Sequence, residues 1–164
     1  MKNPRNRCSS DEGATLIEFA ILLPLLVLII FAIVEFGFAF GQHLDVRSGA
    51  RETSRLVAVN YGQDDGLSGS VQTDAIVQQA CETMDADPGV TVEIVYGSFN
   101  APDPSSNHVG DYAEARVTKP LSTMTGFLDF ALDGVVLNSS VTTRLERGDS
   151  TDTLTWIPGS YNCP

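Results

Sequence analysis

The chain has 164 residues, enough for one soluble domain with an accessory segment. Its 10 basic and 21 acidic residues give a net charge of −11, which argues against a nucleic-acid-binding surface. The basic residues are unevenly placed: Lys2, Arg5 and Arg7 come first, and the next Lys or Arg is Arg47.

An apolar run fills that gap. Phe19 to Val34 is 16 consecutive residues without a charge, and with Glu35 tolerated the run reaches 23 residues at Gly41. A membrane-spanning helix needs about 20, so the longer run suffices and the strict one is slightly short. The preceding basic cluster reads as the cytoplasmic flank, which puts the remainder across the membrane. Glu18 and Glu35 bracket the run, about 25 Å apart at 1.5 Å per helical residue. Near opposite interfaces both charges are tolerable, which accounts for Glu35 but leaves the residues before Glu18 unexplained.

The helical pattern starts at Ala14 and extends to about Asn60, with Pro24 as its one interruption. Beyond Gly41 it turns amphipathic. Arg47, Arg51 and Arg55 form one basic stripe at i, i+4, i+8, either a solvated face or a clamp on the acidic domain that follows. YGQDDGLSGS (61–70) is a connector, and 71–84 is a second amphipathic helix with Ile76, Val77, Ala80, Cys81 and Met84 at helical spacing. DADPGV (85–90) turns into an alternating strand over 90–97. A loop at 100–111 leads to a second strand, 112–120, that stops at Pro120. Residues 121–134 are apolar but irregular and read as a long crossing loop. A third strand, 135–146, puts Val135, Leu137, Val141 and Leu145 on one face. The predicted class is α+β: a long membrane and stalk helix, then a small domain with one helix packed on an antiparallel sheet of about three strands. The expected segments are a leader (1–13), the membrane and stalk helix (14–60) and an extracytoplasmic domain (61–164).

Of the three cysteines, Cys8 falls on the presumed reducing side. Cys81 and Cys163 lie beyond the membrane and, in an oxidising compartment, are the only pair available there. Closing that loop contributes about 4 kcal/mol in the chain-entropy model. The alternative is two unrelated buried thiols.

The residues GATLIEFAILLP (13–24) carry a pattern: a short basic leader ending in glycine, a glutamate at the fifth following position, then an apolar helix. This resembles the processing site of type IV prepilins. More closely it resembles the TadE-like pseudopilins of the tight-adherence (Tad) pilus, which show glycine, four residues, Glu-Phe and an apolar run with an early proline. EFG at 35–37 and GARETSRLVAV at 49–59 extend the similarity. It is strong over residues 13 to 59; beyond them only the succession of elements matches, giving a pilin-like domain.

The resemblance implies cleavage between Gly13 and Ala14 by a membrane-embedded prepilin peptidase, with Glu18 and Phe19 in the recognised motif. Glycine imposes no side chain at the cut and lets an extended backbone approach a protease. Cleavage would create an α-amine on Ala14 one turn before Glu18 on the same helix face, where opposite charges attract. In a staggered bundle the same carboxylate would meet a neighbour's amine, with Pro24 and Glu35 as further helix-assembly positions. The implied surroundings are the bacterial inner membrane, with the N-terminus cytoplasmic and the C-terminal domain periplasmic or in the pilus. The implied partners are an assembly ATPase, an inner-membrane platform, a TadF-like companion and the major Flp pilin.

Two other readings stay open. One is an uncleaved signal anchor tethering a periplasmic binding domain. The other is a secretory signal cut after Ala39-Phe40-Gly41, before Gln42. An enzyme is not expected. His43 and His108 are isolated, the acidic pairs Asp64-Asp65, Asp85/Asp87 and Asp129/Asp133 fit no calcium loop, and no phosphate loop or nucleophile constellation is present. No metal, cofactor or catalytic residue is assigned.

Overall fold

The computed structural model describes residues 11–84, 89–103, 105–126, 129–148, 151 and 153–163, without the side chains of 11, 12 and 131. The basic cluster Lys2, Arg5, Arg7, with Cys8, lies outside the described residues, as does most of the turn expected at 85–90. The chain is α+β, as the order of predicted elements implies.

Helix α1 runs from Asp11 to Ala58, 48 residues and about 72 Å of helix, and passes through Pro24 without a break in assignment. Its two halves differ completely in environment. From Gly13 to Val34 no side chain is buried, whereas from Glu35 onward one face is covered. That face carries Glu35, Gln42, Val46, Ala50, Thr53 and Val57, the 3–4 residue spacing of a helix stripe. The helix ends on Asn60, which takes a left-handed φ of 51°. Tyr61 N–H then bonds Leu56 O at 3.0 Å and Asn60 N–H bonds Val57 O at 3.2 Å, closing the last turn.

Helix α2 (Gly69–Thr83) lies on α1 and buries Ile76, Val77, Ala80 and Cys81. The strands are β1 (Thr91–Ser98), β2 (Ala101–Pro102), β3 (Tyr112–Pro120), β4 (Val136–Arg144) and β5 (Gly159–Asn162), with a single-turn helix α3 (Asp129–Leu132) before β4. All pairings are antiparallel. β3 sits between β1 and β4, while β2 and β5 share the other edge of β1. The sheet therefore has five strands rather than about three. The two missed strands are two and four residues long, too short to display alternation.

Strand β5 also changes the fate of the C-terminus. Asn162 pairs with Thr91 and Tyr161 with Val92, so SYN is part of the sheet. Before it, Trp156 is buried and stacks on Tyr96 with ring centroids 4.1 Å apart, and the Tyr96 hydroxyl donates to Trp156 O at 2.9 Å. Burial raises the pKa of that phenol far above its ordinary value. On β4, Leu137 and Val141 pack against the core and Leu145 is buried, but Val135 precedes the strand and is exposed.

The core is one cluster in which Val46, Ala50, Leu56 and Val57 of α1 meet Ile76 and Val77 of α2 and Val92, Ile94 and Val117 of the sheet. Ala113 and Ala115 on β3 are fully buried, and their small side chains let α1 lie close across the sheet. A small residue is also required on the helix. A methyl group on Gly49 would stand 1.8 Å from Met84 Sδ and 2.4 Å from its Cγ. Alanine would gain roughly 1 kcal/mol of helix propensity there, but overpacking costs about 1–3 kcal/mol. Gly49→Ala should therefore lower stability by up to about 2 kcal/mol in chemical denaturation. A gain in stability would show that Met84 yields without cost.

Candidate functional site: the apolar helix and its junction with the domain

Gly13 and Ala14 lie in the first turns of α1, and both are exposed. A Cβ on Gly13 would meet nothing within 4 Å, and its φ is not positive. Nothing within the fold therefore demands glycine at this position. The backbone here is helical rather than extended, so a protease would have to unwind it. Two features make that easy. The first turn of any helix lacks partners for its N–H groups, and glycine weakens a helix by about 1 kcal/mol relative to alanine. Glu18 and Phe19 are exposed one turn further on, on a helix that is long and apolar enough to cross a membrane. Such a helix is compatible with a single-pass membrane anchor. Pro24 removes one backbone N–H from this uncovered stretch.

Glu35 faces its own domain. It is only 1% exposed, although apolar exposed residues flank it. Its carboxylate accepts the N–H of Thr125 at 2.7 Å, the N–H of Met124 at 3.1 Å and the hydroxyl of Thr125. These donors lie 89 and 90 residues away in the chain. A buried carboxylate is tolerable only when hydrogen-bonded, and three donors meet that need. The side chain is thus engaged by its own domain.

Two turns along, Gln42 makes a second tie. Its Nε2 donates to Ser122 O at 2.7 Å, while Ser122 N–H and Oγ donate to its Oε1 at 3.1 and 3.0 Å. The amide side chain pairs with the backbone much as a neighbouring strand would. Together Glu35 and Gln42 fasten the β3–β4 connection to α1 at the level where the helix emerges from its uncovered half. At the far end, Glu146 and Arg147 N–H both donate to Ala58 O at 2.8 and 3.2 Å. The sheet is held to the helix at both ends.

The basic stripe is a solvated face. Arg47, Arg51 and Arg55 are all exposed. Arg55 bonds Glu52 on its own helix at 2.6 and 3.0 Å, and that hydrogen bond holds the Glu52 carboxyl below its usual range. Among the described residues these arginines form no clamp on the acidic domain. Asp64 pairs with Arg147 at the surface at 2.5 Å, a contact of small energetic weight. Asp85 and Asp87 lie outside the described residues. His43 is exposed, and His108 stands beside Asp111 at 3.8 Å. Among the described residues no group of three His, Cys, Asp or Glu side chains is placed to hold a metal.

Among the described residues Glu114, on β3, is the other buried carboxylate. Burial raises its pKa, but the N–H of Phe99, the hydroxyls of Ser140 and Ser98 and the charge of Arg116 outweigh this and set it below the usual range.

Cys81 on α2 and Cys163 just after β5 form a disulfide, with Cα atoms 5.7 Å apart. It closes a loop of 82 residues around the whole sheet. It also pins the last strand to the helix on the opposite side of the core.

Residues 13–55 match the family model described as TadE-like protein. No curated protein and no solved structure matches the chain. The matched segment is the uncovered half of α1, the Glu35 and Gln42 ties and the start of the core-forming stripe.

Two outcomes test this junction. In Glu35→Ala, the amides of Met124 and Thr125 should lose hydrogen-exchange protection while those of β1 keep theirs; unchanged protection would show that the tie is incidental. Cys163→Ser should lower stability by roughly 2–4 kcal/mol in the chain-entropy picture and release the C-terminal strand to proteolysis first. Equal protease resistance of variant and parent would contradict the pinning role.

Proposed function

From a TadE-like segment at residues 13–55, we propose that this chain is a minor pseudopilin of a Tad-type pilus. Membership of that kind supports association with a Tad pilus; the finer role is our reading of the residues. The observation that carries it is the uncovered apolar half of α1, headed by Gly13 and Glu18 and continuous with the core of a folded domain.

In this reading a prepilin peptidase in the bacterial inner membrane removes residues 1–13, and Phe19 belongs to the stretch it recognises. The N-terminus faces the cytoplasm during insertion, and the domain lies on the periplasmic side or in the fibre. The new amine on Ala14 is a positive charge at the positive end of a helix dipole. Left alone in an apolar environment it is unfavourable, and Glu18 is the nearest group able to neutralise it. Within one chain the two are four residues apart on one face. In a bundle of helices offset along their axes, Glu18 of one subunit answers the amine of the next. The pairing is stronger in lipid than in water because the local dielectric is lower. Stacking of this kind joins the chain to other pseudopilins, a TadF-like companion and the major Flp pilin, driven by an assembly ATPase on an inner-membrane platform. Surface adherence is then a property of the pilus it helps to build.

The experiment is to produce the full chain in cells with and without the cognate peptidase. With it, the mature protein should begin at Ala14. A bulky replacement at Gly13 should block the cut without disturbing the fold, since the position is open on all sides. Glu18→Ala should insert and fold normally yet fail to enter the pilus machinery. An intact leader in the presence of active peptidase would favour the tethered binding domain, and a start at Gln42 would favour a secreted protein. Pilus assembly unaffected by Glu18→Ala would remove the charge pairing.

A further inference from the structure

Among the described residues of the domain, the two most exposed large apolar side chains lie in the β3–β4 connection. Phe130 is 85% exposed and Met124 is 66% exposed, the highest values for large apolar side chains outside the uncovered half of α1. Its base is closed where Leu121 N–H donates to Val135 O at 2.9 Å, directly beyond the last β3–β4 pair, Pro120 with Val136. From there it reaches back along α1 toward the uncovered half, and Glu35 holds it at the tip.

Position along the helix says what covers this surface. With α1 read as the membrane-spanning helix proposed above, an assignment on which this inference rests, about 20 residues counted from Ala14 cross the hydrocarbon and end near Ile33. Glu35 then stands at the outer boundary, and the backbone of Met124 and Thr125 is fastened to it at that same depth. Backbone donors near lipid are tolerated only when satisfied within the protein. Three of them are satisfied by α1, Ser122 N–H by Gln42 and Met124 and Thr125 N–H by Glu35, and the side-chain hydroxyl of Thr123 bonds Asp129. Phe36 and Phe40, exposed on the adjoining turns of α1, continue the same apolar band. Asp129 and Asp133 set a limit on depth, since charged groups stay among the headgroups.

We propose that the β3–β4 connection is a membrane foot: it rests in the headgroup–acyl boundary of the bilayer that α1 crosses, with Met124 and Phe130 turned into the apolar side. A two-point stance of this kind fixes the tilt and rotation of the domain over the membrane, which a single helix leaves free.

The test uses the full-length chain with Cys8→Ser and the Cys81–Cys163 pair kept oxidised. A spin label is attached at Phe130→Cys, at Thr142→Cys on the outer strand or at Leu26→Cys in the uncovered helix. Each protein is placed in phosphatidylcholine–phosphatidylglycerol vesicles, and collision with oxygen is compared with collision with a water-soluble nickel chelate. The foot predicts that the logarithm of the oxygen-to-nickel ratio is positive at positions 26 and 130 and negative at 142. If 130 reads as negative as 142 while 26 stays positive, the domain stands clear of the bilayer and the foot is refuted, with the spanning helix intact. A label at 130 shielded from both reagents means that protein, such as a second copy, covers the surface, and this also refutes it. A negative value at 26 would overturn the spanning assignment itself, and the foot with it.

Discussion

Everything in this molecule depends on one helix being used twice. The N-terminal half of α1 buries none of its side chains, while its C-terminal half supplies Val46, Ala50, Leu56 and Val57 to the only core cluster among the described residues. No linker separates the two. A force or a change of register applied to the apolar half is therefore passed directly into the domain, because the helix cannot slide without breaking the core. Glu35 and Gln42 mark the changeover and tie it off with hydrogen bonds to a segment some 80 to 90 residues distant.

The domain is built to make that transmission firm. The sheet is fixed to α1 at Ser122 and Thr125 at one end and at Glu146 and Arg147 at the other. The chain terminus returns to the far edge of β1, where the disulfide to α2 and the stack of Trp156 on Tyr96 close the core. A buried polar knot supports the end of α1: Gln72 Nε2 donates to Asn60 Oδ1 at 2.8 Å and to Tyr61 O at 2.9 Å, and Thr155 donates to Gln72 Oε1 at 2.5 Å. Such a network is stable because each of these groups is partnered, and it ties the helix end, α2 and the C-terminal tail to one another.

Elements whose information is local were legible in the sequence. Val92, Ile94 and Tyr96 alternate and all three are buried, and the 3.6-residue pattern of Ile76, Val77 and Ala80 gives α2. The GATLIEF pattern and the match at residues 13–55 coincide at the head of α1. Apart from the Cys81–Cys163 disulfide, which compartment and cysteine count suggest, what depended on distant contacts was not legible. Glu35 reads as a charge at a membrane edge, because nothing in its neighbourhood names Thr125 as its partner. Gln42 carries no pattern at all. Gly49 looks like any small helix residue until Met84 is packed on it. The 121–134 stretch reads as an irregular crossing loop because its order comes from α1 rather than from its own periodicity. β5 is too short to signal itself, so only the pairing register identifies it as a strand.

The claim that α1 is one load-transmitting element is open to direct measurement by amide hydrogen exchange on the full chain in lipid vesicles. If the claim holds, amides over 42–57 exchange only through the same global opening as those of β1 and β3, with matching free energies. Amides over 42–57 that exchange well ahead of the sheet, through a local opening of their own, would show that helix and domain are separable, and the account would fail at its centre.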